Sequence, residues 1–191
     1  YTHSLLKVAG VESYLTIIQR DYNKIGLEKN FPSLQGNHMI LCIPSEENIF
    51  LECTSQKIPF GYIGQSNEDR DVLIVTPEGG KMVKTNKYKT QENLLKTYAN
   101  VIVDNQGNAK TELSRVFFGS QLDYRRNVVT MDSKEKEDYY KEVWDYYNGL
   151  KILKINSNQN NSNVSWEEKF EIDIDKFATI LGNRMVLNLN V

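Results

Sequence analysis

The chain has few of the residue types on which many active sites depend. Its 191 residues include two histidines, two cysteines and four prolines. No Cys/His cluster shows zinc-ligand spacing, so the sequence gives no support for a metal site, and we expect no cofactor. Gly79-Gly80 and Gly107 lie in predicted hairpin turns and not between a strand and a helix, so a phosphate-binding loop is not predicted either.

A strong charge of one sign and long apolar runs are also missing. The net charge is -2, with 25% charged and 40% hydrophobic residues. This composition is typical of a soluble globular protein and offers no electrostatic attraction to nucleic acid. No stretch approaches the roughly 18 apolar residues that a membrane-spanning helix needs. We therefore expect neither a nucleic-acid partner nor a membrane-spanning segment.

Two short runs in the first third of the chain have the composition of paired strands. They are His38 to Pro44 and Ile49 to Thr54, separated by a polar turn. An antiparallel pairing can bring the His38 imidazole and the Glu52 carboxylate within hydrogen-bond reach. The acid would then fix the tautomer of the ring and stabilise the imidazolium that forms when histidine takes a proton from a thiol. The pair supplies two of the three groups of a Cys-His-acid triad.

Neither cysteine clearly completes that triad. Cys42 lies four residues beyond His38 on the same strand, roughly 13 Å away, which is too far for a partner. Cys53 adjoins Glu52 on the next strand, so the two side chains point to opposite faces and only one can share the face of His38. Both faces of the His38 strand are apolar, so the pattern leaves the register open. Each cysteine is most simply interpreted as a small buried hydrophobe, and a Cys53-His38 dyad remains an alternative.

The run from Tyr1 to Thr90 resembles the second half of a transglutaminase-like core. This family belongs to the papain-related superfamily with a Cys-His-Asp triad, and the chain looks most like the bacterial type in which the core lies between two domains of unknown function. The matching motifs are Leu5-Leu6-Lys7 with Gly10, which resemble the end of the nucleophile helix, then Asn37-His38-Met39-Ile40-Leu41, then Leu51-Glu52-Cys53-Thr54.

The resemblance implies a role for each candidate residue. His38 would be the general base and then the acid, and Glu52 would orient it from the position usually held by aspartate in Asp-Pro-Thr. Glutamate here lengthens that arm by one methylene. The nucleophilic cysteine would lie a few residues before Tyr1, in a Gly-Asp-Cys context, and the chain indeed begins without methionine inside an amphipathic pattern. We therefore expect the natural start of the protein to lie upstream.

The function implied by the resemblance is thiol acyl transfer from a protein or peptide amide to water or an amine. It also implies a periplasmic or extracellular location. As an isolated fragment, this chain would be inactive, because it would lack the nucleophile. The alternative is a noncatalytic interaction or scaffolding module in which the papain-like half-core is only structural.

The sequence predicts an α+β fold in two domains. Residues 1–90 should form the C-terminal half of the core, with antiparallel strands and one N-terminal helix that ends at Gly10. Its strands should be Tyr14 to Ile18, the two His38-hairpin strands, Val72 to Val75 and Lys81 to Lys84. A long polar connection, residues 19–37, should border the site.

Residues 91–191 should form a β-rich, sandwich-like domain with one amphipathic helix. That helix should run from Asp132 to Asn148, with Asp132 and Glu135 as a capping pair. Its apolar stripe should be Tyr140, Val143, Trp144 and Tyr147. The polar run Asn156 to Asn163 should be a loop. The predicted strands are Tyr98 to Val103, Lys110 to Phe117, Leu150 to Ile155, Lys169 to Ile174 and Arg184 to Leu189.

Overall fold

The protein is mostly antiparallel β-sheet with short helices. A computed structural model describes residues 1–23, 25–31 and 33–187. The chain divides into two compact units, Tyr1–Asn93 and a second that begins at Leu94. Across the described residues, no helix has the length and apolar character that crossing a membrane requires.

Unit 1 is built on one five-stranded antiparallel sheet in the order β3-β2-β1-β4-β5. The predicted strand Tyr14–Ile18 is confirmed with its bounds. The elements are α1 (Thr2–Val8), β1 (Tyr14–Ile18), β2 (His38–Ile43), β3 (Ile49–Leu51), β4 (Asp71–Thr76) and β5 (Gly79–Lys84).

The register of this sheet decides which side chains accompany His38. Leu41 of β2 pairs with Leu51 of β3, and His38 pairs with Ile18 of β1. Because side chains alternate between faces, His38, Ile40 and Cys42 point toward the core. That core consists of Ile18, Ile40, Cys42, Phe50, Ile63, Val72 and Ile74. Continuing the β3 register by one residue places Glu52 on the same face.

Helix α1 differs from expectation in its packing. Gly10 has the positive φ of +75° expected after the helix end. The apolar residues of this amphipathic segment do not form a buried face, however, since no residue of α1 is buried. The helix has seven residues. The amphipathic pattern therefore located the helix correctly and its burial incorrectly.

Unit 2 contains a four-stranded antiparallel sheet in the order β6-β7-β9-β8 and a separate hairpin of β10 with β11. Helix α2 and short 3₁₀ segments supply the apolar side chains that pack on the larger sheet. The elements are β6 (Leu95–Val103), β7 (Ala109–Phe118), α2 (Ser133–Val143), β8 (Lys151–Asn160), β9 (Ser165–Ile174), β10 (Ala178–Leu181) and β11 (Arg184–Leu187).

The predicted polar loop from Asn156 to Asn163 is wrong over most of its length. Strand β8 continues to Asn160, and its polar end pairs with β9, for example Asn156 with Lys169. An edge strand can be polar when its neighbour supplies the backbone hydrogen bonds. Strand β10 was not predicted, and positions 188 and 189 of the last predicted strand lie outside the described residues.

The predicted capping of α2 is confirmed. Asp132 accepts hydrogen bonds from the backbone of Lys134 (2.8 Å) and Glu135 (2.9 Å), and the Glu135 carboxylate accepts one from the Asp132 backbone (2.8 Å). The helix ends at Val143, five residues before the predicted end at Asn148.

The predicted apolar stripe of α2 is confirmed except at one position. Tyr140 and Trp144 are buried, and Tyr147 packs against the same core. Val143 is 39% exposed, so its place in the stripe was wrong. It is the last helical residue and lies at the flank of the stripe.

The core of unit 2 also holds a buried carboxylate. Glu168 is completely buried and accepts hydrogen bonds from the Tyr140 hydroxyl and from Trp166 Nε1 (2.7 Å). Arg125 Nε lies 3.9 Å from Glu168 Oε1. Burial and the nearby Glu168 charge raise the pKa of Tyr140 well above its ordinary value. This cluster joins α2 to the sheet by polar contacts inside an otherwise apolar core.

Candidate functional site

The candidate site is the contact between the first residue of β2 and the residue directly after β3. His38 Nε2 lies 2.7 Å from Glu52 Oε2. The His38 side chain is 14% exposed, and the Glu52 side chain is 2% exposed. The predicted contact of the imidazole with the carboxylate on one face is confirmed.

Strand pairing explains how the two side chains meet. The register places Glu52 opposite Ile40, so His38 is a diagonal neighbour of Glu52 across the two strands. Diagonal neighbours are separated by about 7–8 Å, a gap that long side chains can bridge. The length of the glutamate side chain therefore suits this position.

The Glu52 carboxylate accepts four hydrogen bonds. Oε1 receives the Thr54 backbone N–H (3.0 Å) and the Thr54 hydroxyl (2.6 Å). Oε2 receives Asn67 Nδ2 (2.9 Å) beside the His38 ring. Burial alone would raise the pKa of Glu52, but the hydrogen bonds from Thr54 and His38 outweigh it and hold that pKa below its ordinary value. Glu52 is therefore ionised at neutral pH.

An ionised partner fixes the tautomer of His38. A carboxylate can only accept hydrogen bonds, so the proton of the neutral ring lies on Nε2. Nδ1 then holds the free lone pair. Among the described residues, no side chain or backbone group hydrogen-bonds to Nδ1. His38 can therefore accept a proton at Nδ1 while Glu52 stabilises the resulting imidazolium.

The two cysteines lie away from this nitrogen. Cys42 is buried in the core, and desolvation raises the pKa of its thiol. Cys53 is exposed and donates to the Leu51 carbonyl (3.8 Å). Partial desolvation raises the pKa of Cys53, and a hydrogen bond with Thr2 offsets part of that rise. The structure contradicts the alternative dyad, because the His38 ring pairs with Glu52 and not with Cys53.

Sequence reasoning missed Asn67. It belongs to the polar run Ser66 to Arg70, between β3 and β4, which resembles an ordinary surface loop in the sequence. In the structure, Ser66, Asn67, Glu68 and Arg70 are all buried. No pattern in the sequence indicates that burial, because it depends on how the loop folds back over the β2-β3 pair.

Polar contacts hold the backbone around the site. The Arg70 guanidinium donates from Nη1 to the Gln19 carbonyl (2.7 Å) and from Nη2 to the Asp21 carbonyl (2.9 Å). Arg20 and Asn37 exchange two hydrogen bonds, N to Oδ1 (2.7 Å) and Nδ2 to O (3.0 Å). Since Asn37 directly precedes His38, these contacts fix the start of β2.

A groove of about 710 Å³ lies beside the site and includes His38 and Thr54 in its lining. The sheet contributes apolar side chains from the face opposite to that of the His38 side chain, and the connection between β1 and β2 contributes others. The apolar lining residues are Ile17, Leu27, Phe31, Leu34, Met39, Leu73 and Met82. Ligand pockets in proteins are lined mainly by such apolar side chains.

Within the described part of the chain, no group of three or more His, Cys, Asp or Glu side chains is placed to hold a metal ion. No family model, curated protein or solved structure matches this chain. Support for a function therefore comes from the geometry around His38 and from the motifs in the sequence.

The lowered pKa of Glu52 predicts a specific acid sensitivity. A carboxylate whose pKa is lower in the folded state stabilises the fold above its unfolded pKa, and that stability is lost as the pH falls through the folded value. The ordinary pKa here is 4.5. The difference in urea midpoint between the wild type and Glu52→Gln should be largest above that pH and should narrow below it.

The matched control for this measurement is Glu46→Gln. Glu46 is an exposed carboxylate in the turn of the same hairpin. The urea midpoint of Glu46→Gln should equal the urea midpoint of the wild type at every pH. If the difference in urea midpoint between the wild type and Glu52→Gln stayed constant from pH 7 to pH 3, it would contradict the lowered pKa of Glu52.

Proposed function

We propose that unit 1 is the C-terminal half of a transglutaminase-like core, and that His38 and Glu52 are the base and the orienting acid of a thiol acyltransferase or peptidase. The observation that supports this proposal most strongly is the 2.7 Å contact between His38 Nε2 and an ionised Glu52, which leaves Nδ1 free. The motifs around the two residues have the order and spacing of that bacterial family. Glutamate stands where the family usually has aspartate.

The proposed reaction needs a thiol beside His38 Nδ1. His38 takes the thiol proton, and the thiolate attacks an amide carbonyl. The carbon–nitrogen bond then breaks, and His38 returns the proton to the departing amine. Water or a second amine, deprotonated by His38, attacks the thioester and releases the thiol. Glu52 stabilises the imidazolium at each stage.

We place this thiol upstream of Tyr1, because neither Cys42 nor Cys53 pairs with His38. The apolar groove beside His38 supports a protein or peptide as the substrate. A periplasmic or extracellular location follows from the family resemblance, and unit 2 would be the β domain that follows the core.

The test compares residues 1–191 alone with the protein that includes the natural sequence before Tyr1. The longer protein should hydrolyse or transamidate a glutamine-containing peptide, and iodoacetamide should abolish that activity. Residues 1–191 alone should show none, because a base and an orienting acid without a nucleophile cannot form the acyl-enzyme.

Two outcomes would contradict the proposal. One is a reading frame with no cysteine within about ten residues before Tyr1, because motif and structural context must agree. The other is turnover by residues 1–191 that survives His38→Ala and disappears in Cys53→Ser.

The second candidate function is a noncatalytic interaction module. The four hydrogen bonds to Glu52 favour it, since they tie β2, the end of β3 and the Asn67 loop together as a structural contact would. In that case the longer protein should fold normally and lack turnover, and His38→Ala should lower only its stability.

A further inference from the structure

The side-chain amide of Asn67 shares one carboxylate oxygen with His38. Asn67 Nδ2 lies 2.9 Å from Glu52 Oε2, and His38 Nε2 lies 2.7 Å from the same atom. The other oxygen, Oε1, is occupied by two donors of Thr54. Asn67 is therefore the one described group besides His38 that donates to Oε2.

The orientation of the Asn67 amide is determined by its neighbours. Nδ2 donates to Glu52 and also to the Ile63 carbonyl (2.9 Å), and both of these groups are acceptors. A flipped amide would turn its oxygen toward two acceptors, so only the observed orientation is stable.

The Asn67 backbone is fixed as well. Its N–H donates to the Gly64 carbonyl (3.1 Å), and its carbonyl accepts from the Thr85 hydroxyl (2.8 Å). Asn67 is 1% exposed. The amide therefore reaches Glu52 from a rigid, water-excluded position.

This orientation leaves a buried acceptor without a partner. Asn67 Oδ1 has no hydrogen-bond partner among the described residues. The amide is therefore oriented by its two N–H contacts, and one of these contacts is made to Glu52.

We infer that Asn67 is a positioning residue of this site, which fixes the Glu52 carboxylate and takes up part of its negative charge. The inference deepens the proposed function and rests on it for its catalytic meaning. With Asn67 present, Glu52 attracts the imidazolium less strongly, so His38 gives up its proton more readily to the leaving amine. Without Asn67, the full charge on Oε2 would act on His38.

Besides Glu52, the charge that acts on the neighbouring Cys53 is the N-terminal amino group, which lowers the pKa of that thiol. The ion pair of Glu52 is with His38, and no Lys or Arg of the described chain pairs with either group. Cys53, the neighbour of Glu52, hydrogen-bonds to Leu51 and Thr2 on its own side of the strand.

The test is an NMR titration of the His38 ring in residues 1–191. The chain has two histidines, and His3, which hydrogen-bonds Ser13 (3.0 Å), serves as the internal reference. Asn67→Leu removes the donor at similar volume. It should raise the titration midpoint of His38 above that of the wild type and leave that of His3 unchanged.

Two further variants sharpen the test. Asn67→Asp keeps the side-chain shape, and its buried carboxyl faces two acceptors, Glu52 and the Ile63 carbonyl. It therefore keeps its proton and supplies a donor in place of the amide, so the His38 midpoint should lie closer to the wild-type value than in Asn67→Leu. Ser66→Ala is the matched control, because the buried Ser66 hydroxyl accepts from Arg20 Nε (3.0 Å). It should leave the His38 midpoint at the wild-type value.

A measurement on the unmodified chain covers the case in which the variants do not fold. One Asn67 side-chain amide proton should change its chemical shift together with the His38 titration. The inference is wrong if that proton does not respond, or if His38 titrates as in the wild type in folded Asn67→Leu. These titrations do not depend on enzymatic activity. A longer protein without activity would therefore contradict the proposed function and leave the inference about Asn67 unaffected.

Discussion

Replacing His38 with alanine in the proposed thiol acyltransferase should lower kcat/KM by about 10²- to 10⁴-fold, the usual contribution of a general base. The expected loss follows from the geometry of the pair. Nδ1 is the one ring nitrogen free to take a proton, since Nε2 is held by Glu52. Steady-state kinetics on a glutamine-containing peptide measure the effect directly.

The matched control is His3→Ala. His3 is the other histidine of the chain and contacts Ser13 and not Glu52. Its removal should leave kcat/KM unchanged. Glu52→Gln should lower the rate less than His38→Ala, because the base remains while its orientation and charge stabilisation weaken. A His38→Ala protein that keeps wild-type turnover would remove His38 from the reaction.

Replacing Trp144 with alanine should destabilise unit 2 by about 3 to 5 kcal/mol, the usual cost of emptying a large buried aromatic site. Trp144 is 6% exposed. Its ring stacks on Tyr140 with centroids 5.1 Å apart and meets the edge of Phe170 at 5.0 Å. The truncation would leave a cavity between α2 and the sheet.

Denaturant unfolding monitored by tryptophan fluorescence measures this loss. Both tryptophans of the chain, Trp144 and Trp166, belong to unit 2, so Trp166 still reports on that unit in the variant. Val143→Ala is the control on the same helix and should cost far less, because Val143 is partly exposed. An unchanged unfolding midpoint for Trp144→Ala would show that the stacked ring does not stabilise unit 2.

Local signals predicted the strands and the helix start well. The β-branched and aromatic run Tyr14–Ile18 forms a strand with the predicted bounds, and the Asp132-Glu135 capping pair forms as expected. Such features depend on a few neighbouring residues, so the sequence is enough to predict them.

Features that depend on distant partners were predicted less well. Asn156 to Asn160 is polar, yet it pairs with β9 and extends β8. Its strand conformation comes from the neighbouring strand and not from its own composition.

At the candidate site, too, local features were predicted from the sequence and contacts with distant residues were not. His38 and Glu52 were found because each adjoins a short apolar run, but the apolar pattern did not fix which of Glu52 and Cys53 shares the face of His38. The register had to be taken from the family motifs. Asn67 was missed because its contact with Glu52 joins residues 15 positions apart through a loop that has no periodicity.

Hydrogen bonds fix both ends of the connection between β1 and β2. The Asn37 N–H donates to the Ile18 carbonyl (3.1 Å), and Arg70 holds the carbonyls of Gln19 and Asp21. The chain between these anchors can change without moving His38, since doubling the length of a flexible loop costs only about 0.6 kcal/mol. Insertions or altered side chains there would reshape one wall of the groove while His38 and Glu52 stay in place. Under the proposed function, substrate preference would therefore diverge in this segment independently of the contact between His38 and Glu52.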